Sequence, residues 1–335
     1  MTTKDQLMFS SRLRTLTVVS AAAFALTACG GGAAETKDEA AVKTVQIEDN
    51  TGTHEVPSPP KSAVSLANRN FETLADWGIE VKAAPKPLIP GTVDLGKGDS
   101  VLDLGMHREP NLENLVAAQP DLILGGQRFL QFEEEIKKLT PDAAYLNFDV
   151  RPDKPIDSEL KRETTALGKI FGKETEADKL NKDFDASIQA VKDAYKSGET
   201  VMAVNVSGGE FGYIAPSKGR TVGPMFDLFG WKPALQIENG STNHMGDEVS
   251  VEAIAQSNPD WIIVLDRDAG TTAAKEAGFR PAETVLKENQ VLQNVDAVKK
   301  SKVIFLPADT YTNDGIQTHT EIFNSIAKAF KAFKG

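Results

Sequence analysis

The sequence predicts an α/β protein of two similar lobes with mostly parallel sheets, joined by one long connecting helix, with a ligand cleft between the lobes. Three observations support this fold class. Apolar strand-like runs alternate with amphipathic helical runs, one helix–strand pattern occurs in both halves, and a glycine-poor helical stretch separates the halves. With 335 residues, 40% of them hydrophobic, the chain is long and apolar enough for two cores of ordinary size.

The repeated pattern is a glutamate followed seven positions later by Pro-Asp and then by an apolar run. Its two copies contain Glu113 and Pro120 in the first half, and Glu252 and Pro259 in the second. Asn111 and Ser250 suit helix N-caps, so each glutamate falls in a first turn, where the helix dipole stabilises an anion. Each proline ends its helix, and the apolar run after it predicts a buried strand of a parallel sheet.

The other elements follow from local periodicity and turn residues. Strands are predicted at 45–49, 54–56, 63–66, 81–84, 143–146, 201–206 and 303–305. Helices are predicted at 71–77, 129–139, 221–229, 273–278, 282–289 and 316–333. The connecting segment has apolar residues at helical spacing and a predicted break near Gly172, whereas the glycine-rich segment 207–213 is expected to turn.

Composition and pattern divide the chain into five segments. They are a lipoprotein signal peptide at 1–28, a flexible lipidated tether at 29–44, an N-terminal α/β lobe at 45–155, the connecting helix at 156–197 and a C-terminal α/β lobe at 198–335. Ligands of such α/β folds bind where the carboxyl ends of strands meet, so we expect the site in the cleft between the two lobes.

The start of the chain predicts export and lipidation. Two arginines precede an apolar stretch at 16–26 that is too short to span a bilayer stably but fits a signal-peptide core. Leu26-Thr27-Ala28-Cys29 resembles a bacterial lipobox, in which the cysteine receives a diacylglycerol that anchors the protein. We therefore expect an extracytoplasmic protein held at the cell membrane through Cys29. The alternatives are an ordinary secretory signal with an incidental cysteine, or a buried structural thiol.

Several function classes lack support in the sequence. The net charge of −11 disfavours nucleic acid as a partner, because phosphate binding needs a basic surface. A single cysteine forms no disulfide within the chain, and the four histidines are far apart. Phosphate-loop, nucleophile-elbow and His-Glu-x-x-His motifs are all missing, so we expect no enzyme and no intrinsic cofactor. Nothing in the sequence calls for an oligomer, and we expect a monomer.

Candidate ligand-binding residues lie in loops next to predicted strands and helices. They are Arg128, Arg220, Arg267, His244 and Tyr311. Guanidinium groups stay charged and pair with planar oxyanions through two hydrogen bonds, so three converging arginines suit an anionic chelate carrying catecholates or carboxylates. Each residue also has a plain alternative: a surface salt bridge, a capping role, a loop histidine or a tyrosine at the cleft rim. His107 and Arg108, in the loop before the first repeat, are weaker candidates.

Together these features resemble the helical-backbone (class III) substrate-binding lipoproteins of bacterial ABC importers, whose cargoes are ferric siderophores, cobalamin and haem. The resemblance covers roughly 45–335. Four segments resemble the branch that binds ferric catecholate siderophores: Gly125-Gly126-Gln127-Arg128, Pro216-Ser217-Lys218-Gly219-Arg220, the His244 loop with Val249-Ser250-Val251-Glu252, and Val264-Leu265-Asp266-Arg267.

The resemblance implies a role for each candidate residue. The three arginines would hold the anionic chelate, while His244 and Tyr311 would complete iron coordination where the siderophore leaves positions open. Glu113 and Glu252 would engage arginines on the two permease subunits. The ferric siderophore is the transported ligand, and the partners are the permease and, through Cys29, the membrane.

Three alternatives remain open. The same protein class can carry haem or cobalamin, although an aromatic content of 7% mildly disfavours haem. A zinc or manganese receptor would need several converging histidines and carboxylates. A lipid-anchored enzyme on this fold would need a nucleophile and a base, and no such pair can be named.

Overall fold

The computed structural model describes residues 43–333, which belong to one compact unit. The predicted signal peptide and Cys29 lie outside the described residues. Among the helices of residues 43–333, none combines the length and the apolar character needed to cross a membrane.

The first lobe contains a short hairpin and a five-stranded parallel sheet. Its strands are β1 (Thr44–Glu48), β2 (Thr53–Pro57), β3 (Ala63–Ser65), β4 (Ala83–Ala84), β5 (Leu102–Asp103), β6 (Leu122–Gly125) and β7 (Ala144–Asn147). Its helices are α1 (Phe71–Asp76), α2 (Leu112–Ala117) and α3 (Glu133–Leu139). Strands β1 and β2 pair antiparallel, and the parallel sheet has the order β5-β4-β3-β6-β7.

Strand β6 shows why this sheet is covered on both faces. All four of its residues are buried. Leu122 and Leu124 pack with Phe71 of α1 in one core cluster, whereas Ile123 packs with Leu115 of α2 in another. Successive side chains of a strand point to opposite faces, so a continuous apolar run is buried only when helices cover both.

Two helices connect the lobes: α4 (Ile156–Phe171) and α5 (Glu174–Ala194). The predicted break occurs at Gly172, which has φ +64° and ends α4 in the left-handed conformation. Leu160, near the start of α4, belongs to a core cluster of the second lobe, whereas Ile170, near its end, belongs to a cluster of the first. Helix α5 also bridges the lobes, since Ala177 near its start packs in the first-lobe cluster and Phe184 packs in the second-lobe cluster. Helix α4 is about 24 Å long by its rise per residue, and α5 also packs along the C-terminal helix.

The second lobe contains a five-stranded mixed sheet. Its strands are β8 (Thr200–Ser207), β9 (Glu210–Tyr213), β10 (Lys232–Pro233), β11 (Trp261–Asp266) and β12 (Val303–Phe305). Its helices are α6 (Gly223–Phe229), α7 (Val251–Ser257), α8 (Ala282–Glu288), α9 (Asp296–Lys299) and α10 (Ile316–Ala332). Parallel strands run in the order β10-β8-β11-β12, and β9 pairs antiparallel with β8.

The turn expected in 207–213 is confirmed, but the strand that follows it was not predicted. Gly208 and Gly209, with φ of +60° and +82°, form a tight turn, after which β9 folds back on β8. Residues 273–278 do not form an α-helix, because the chain there makes only a 3₁₀ turn at Thr272–Lys275. Apart from β9, the strands of both five-stranded sheets are parallel, in agreement with the predicted, mostly parallel architecture.

Candidate functional site

Tyr311 lies where the two lobes meet, and three arginines surround its ring. The guanidinium carbons of Arg128, Arg220 and Arg267 lie 5.7, 4.8 and 5.0 Å from the ring centroid. Arg128 lies in the 3₁₀ helix Gln127–Phe132 after β6, Arg267 follows β11 and Arg220 precedes α6, so three separate segments supply the charges. The structure thus brings together these four candidate ligand-binding residues, and the fifth, His244, lies beside them.

The three arginines differ in the hydrogen bonds and ion pairs that they form within the protein. Arg267 donates from Nη1 to Ser207 Oγ at 3.0 Å and to Asp268 Oδ1 at 2.9 Å. Arg128 and Arg220 form no ion pair with any carboxylate among residues 43–333. Burial, and next the positive charge of Arg220, hold the pKa of Arg128 below its usual value. An anion placed between these two guanidinium groups would relieve their repulsion.

A largely buried ion pair lies near this cluster. Arg69 donates from Nη2 to Asp314 Oδ2 at 3.0 Å and from Nε to the Asp314 main-chain oxygen at 3.3 Å. Burial by itself would raise the pKa of Asp314, but the positive charges of Arg69 and then Arg220 outweigh burial and hold that pKa well below its usual range. Asp314 therefore stays ionised and offsets part of the positive charge above it.

Tyr311 belongs to a loop of the second lobe that is anchored to the first. The amide of Asn68 donates to the Thr312 carbonyl oxygen at 3.0 Å, and Asn313 Nδ2 donates to Glu72 Oε2 at 3.0 Å. A Cβ at Gly315 would lie 2.6 Å from a main-chain oxygen of the first lobe, so only glycine allows this close approach. These contacts make the Tyr311 ring, 8% exposed, a fixed floor between the lobes.

His244 lies beside the Tyr311 ring, in the loop before α7. It lines a small recess together with Arg220 and Tyr311. Burial, followed by the charges of Arg267 and Arg220, lowers the pKa of His244, which favours the neutral imidazole. A neutral imidazole has a free nitrogen lone pair, the form that a metal ligand requires. His107, one of the two weaker candidates, also has a lowered pKa, caused first by burial and then by the positive charge of Arg128.

Glu113 and Glu252 lie away from the arginine cluster, each exposed in the first turn of its helix. The predicted N-caps are confirmed. The side chains of Asn111 and Ser250 accept from the backbone N–H three residues onward, at 2.9 and 3.1 Å. The two glutamates therefore occupy equivalent, solvent-facing positions on the two lobes.

Three polar residues near the cluster were missed by sequence reasoning: Arg69, Asn205 and Asp314. Arg69 and Asp314 are 245 positions apart, so no local pattern connects them. Asn205 could have been noticed from the sequence, since it interrupts the apolar run from Val201 to Val206 within β8. Among residues 43–333, no group of three or more histidine, cysteine or acidic side chains is arranged to hold a metal ion.

Comparisons with known proteins agree with this architecture. The family model described as periplasmic binding protein matches residues 64–310. The petrobactin-binding protein of Bacillus subtilis is 30% identical over 91% of this chain and 94% of its own length. The ferric-anguibactin-binding protein of Vibrio anguillarum is 27% identical over 97% of this chain and all of its own length.

Solved structures share the fold. The crystal structure of the petrobactin-binding protein of Bacillus subtilis superposes with a TM-score of 0.72 at 26% identity, covering 86% of this chain and 99% of its own. The periplasmic catecholate-siderophore binding protein of Vibrio cholerae superposes with a TM-score of 0.73 at 22% identity, covering 87% of this chain and 100% of its own. At that lower identity the second likeness concerns the fold alone.

Proposed function

Because the chain belongs to the periplasmic binding protein family, we propose that it captures a ferric siderophore in the cleft and delivers it to the permease of an ABC importer. The observation that carries this proposal is the set of three guanidinium groups around one tyrosine ring, supplied by both lobes. Members of this family are binding proteins rather than enzymes, which confirms the expectation that the chain is not an enzyme. The protein's work is therefore capture and delivery rather than a reaction.

The charges favour a catecholate over a neutral chelate. Catecholates lose their protons when they bind iron, so their ferric complexes carry net negative charge, whereas a ferric trihydroxamate is neutral. Two of the arginines have no carboxylate partner among residues 43–333, and an anionic chelate would supply one. The petrobactin- and anguibactin-binding relatives support a siderophore as the cargo. We further propose that His244 and Tyr311 occupy iron positions that the siderophore leaves open.

A titration with a panel of ligands tests the cargo. The panel contains ferric catecholates, ferric hydroxamates, ferric citrate, haem and cobalamin, and tryptophan fluorescence reports binding. All three tryptophans are buried, so quenching follows energy transfer to the bound complex rather than direct contact. Saturation by a ferric catecholate at the lowest concentration is expected. Saturation by haem alone, or by cobalamin alone, would end the siderophore proposal.

We propose that Glu113 and Glu252 dock the protein onto basic residues of the permease. Their support is their equivalent exposed positions on the two lobes, and charge pairs of this kind set the register between partners. The Glu113→Ala/Glu252→Ala double variant should keep its ligand affinity while uptake of the ferric siderophore by cells is lost. Glu134→Ala/Glu283→Ala, which removes one helix-start glutamate from each lobe, is the matched control. Normal uptake by the first double variant would contradict the docking role.

We also propose that Cys29 carries the lipid anchor and that the protein acts as a monomer at the outer face of the cell membrane. The support is the lipobox-like tetrapeptide at 26–29 and the tether after it. Cells expressing the Cys29→Ser variant should not incorporate radiolabelled palmitate into the protein. Equal labelling of the variant and the natural protein would refute lipidation at this position.

A further inference from the structure

Strand β8 carries a buried polar side chain one layer below the arginines. Along one face of the strand, Val201 and Ala203 pack in the apolar core, Asn205 comes next and Ser207 comes last. Ser207 contacts Arg267, so it belongs to the arginine layer. Asn205, 2% exposed, therefore lies between the apolar core and the charged site.

The amide of Asn205 is only half satisfied. Its Nδ2 donates to the His244 main-chain oxygen at 3.3 Å. Its Oδ1 has no hydrogen-bond partner among residues 43–333. The carbonyl acceptor of His244 determines which end of the amide faces it, so the free end is the acceptor oxygen. A buried acceptor without a partner is costly, which makes this oxygen a recognition point for a donor.

Asn205 lines a recess beside the Tyr311 ring. The buried side of the recess includes Asn205, Ile214 and Leu265, and its more exposed side includes Arg220 and His244. The loop that carries His244 is held in place from within. Asp247 accepts from the Ser241 hydroxyl at 2.6 Å, and its backbone N–H donates to the Tyr213 carbonyl oxygen at 2.7 Å. The loop that carries His244 is thus held in place before any ligand enters.

We propose that this recess is a subsite for a neutral N–H or O–H donor that the siderophore carries beside its iron-binding groups, with Asn205 Oδ1 as the acceptor. The proposal rests on the proposed function. The nearby charges of Arg220 and Arg267 disfavour a cationic donor, and an acceptor oxygen disfavours an anion. A secondary amide or a hydroxyl in the linker between catechols fits both conditions. Asn205 then helps determine which catecholates bind.

Two synthetic probes test the subsite. Both are ferric bis-catecholamides, and they differ only in that the linker amides of the second are N-methylated. Wild-type protein should bind the N–H probe about 3- to 10-fold more tightly, the ratio expected for one neutral hydrogen bond. Equal affinity for the two probes would overturn the subsite while leaving the proposed function intact. Failure of wild-type protein to bind either probe would overturn the catecholate proposal and the subsite with it.

Substitutions then assign the preference to one atom. Asn205→Leu should bind both probes equally, whereas Asn205→Asp, which keeps an acceptor, should retain the preference and weaken both probes through its added negative charge. Asn181→Leu is the matched control, because Asn181 Oδ1 is also buried without a partner but lies on α5 and does not line the recess. An unchanged preference in Asn205→Leu would assign the selectivity elsewhere. The comparison on wild-type protein needs no substitution, so the proposal stays testable if a variant fails to fold.

Discussion

Replacing Arg220 and Arg267 one at a time should separate binding from stability. Arg220 makes no hydrogen bond or ion pair with its side chain among residues 43–333, and it contacts the Tyr311 ring. Arg220→Gln removes that cation–π contact, worth about 0.5–1 kcal/mol, and the attraction of Arg220 to Asp314, but it also removes the repulsion that lowers the pKa of Arg128. These effects oppose each other, so the free energy of unfolding should change by less than about 1 kcal/mol.

The same substitution should weaken binding strongly. A charge-assisted hydrogen bond to an anionic ligand contributes about 1.5–3 kcal/mol, so the Kd of a ferric catecholate should rise about 10- to 150-fold. Arg267→Gln should behave differently. It leaves Asp268, 15% exposed at its side chain, without its charged partner, which should cost about 1–3 kcal/mol of stability.

Fluorescence titration measures Kd, and urea unfolding of the ligand-free variants measures stability. Arg69→Gln is unsuitable as a control because Arg69 holds the buried ion pair below the cluster, so Lys218→Gln, an exposed cation in the same loop as Arg220, is used instead. The reasoning fails if Arg220→Gln destabilises the protein as much as Arg267→Gln does while its Kd stays unchanged.

Three further substitutions test the structure around the site. Burial raises the pKa of Glu163 to about 8 from an ordinary 4.5, so its contribution to stability is full below pH 4.5 and is lost as the pH rises toward 8. Glu163→Gln should therefore raise Tm at pH 8.5, by the equivalent of at most about 5 kcal/mol, and leave Tm unchanged at pH 4.5. An equal rise in Tm at both pH values would contradict this reasoning. Asp314→Asn leaves the largely buried Arg69 without its ion-pair partner and should cost about 3–5 kcal/mol in urea unfolding. A loss below about 1 kcal/mol would contradict the pairing. In Gly212→Ala the new Cβ would lie 1.9 Å from a main-chain oxygen, so Tm should fall by the equivalent of about 1–3 kcal/mol, whereas Gly91→Ala, which has open space, should match wild type.

Much of the fold was predictable because its causes are local. The N-caps Asn111 and Ser250 bond to backbone groups three residues away, and Gly172 ends α4 through its own φ. The all-buried strand β6 shows as an apolar run in the sequence itself. Strand β9 was missed because its place depends on pairing with β8, and its glycine-rich start reads only as a turn.

The candidate site was likewise predictable only in part from the sequence. Loop position alone selected Arg128, Arg220, Arg267, His244 and Tyr311, since the carboxyl ends of parallel strands meet at one edge of a sheet. Their roles in binding stay predictions, as do those of the docking glutamates and the five segment boundaries.

The sequence by itself determined the α/β class, the repeated helix–strand unit and the residue types that line the cleft. Only the tertiary structure decided that one tyrosine ring collects the three arginines, that Arg267 is already paired while Arg220 is not, and that Asn205 keeps a free acceptor beneath them. The physical reason is the range of the interactions. Helix caps and strand patterns depend on neighbours a few residues away, whereas the charge balance and hydrogen-bond satisfaction of the site depend on groups as far apart as Arg69 and Asp314.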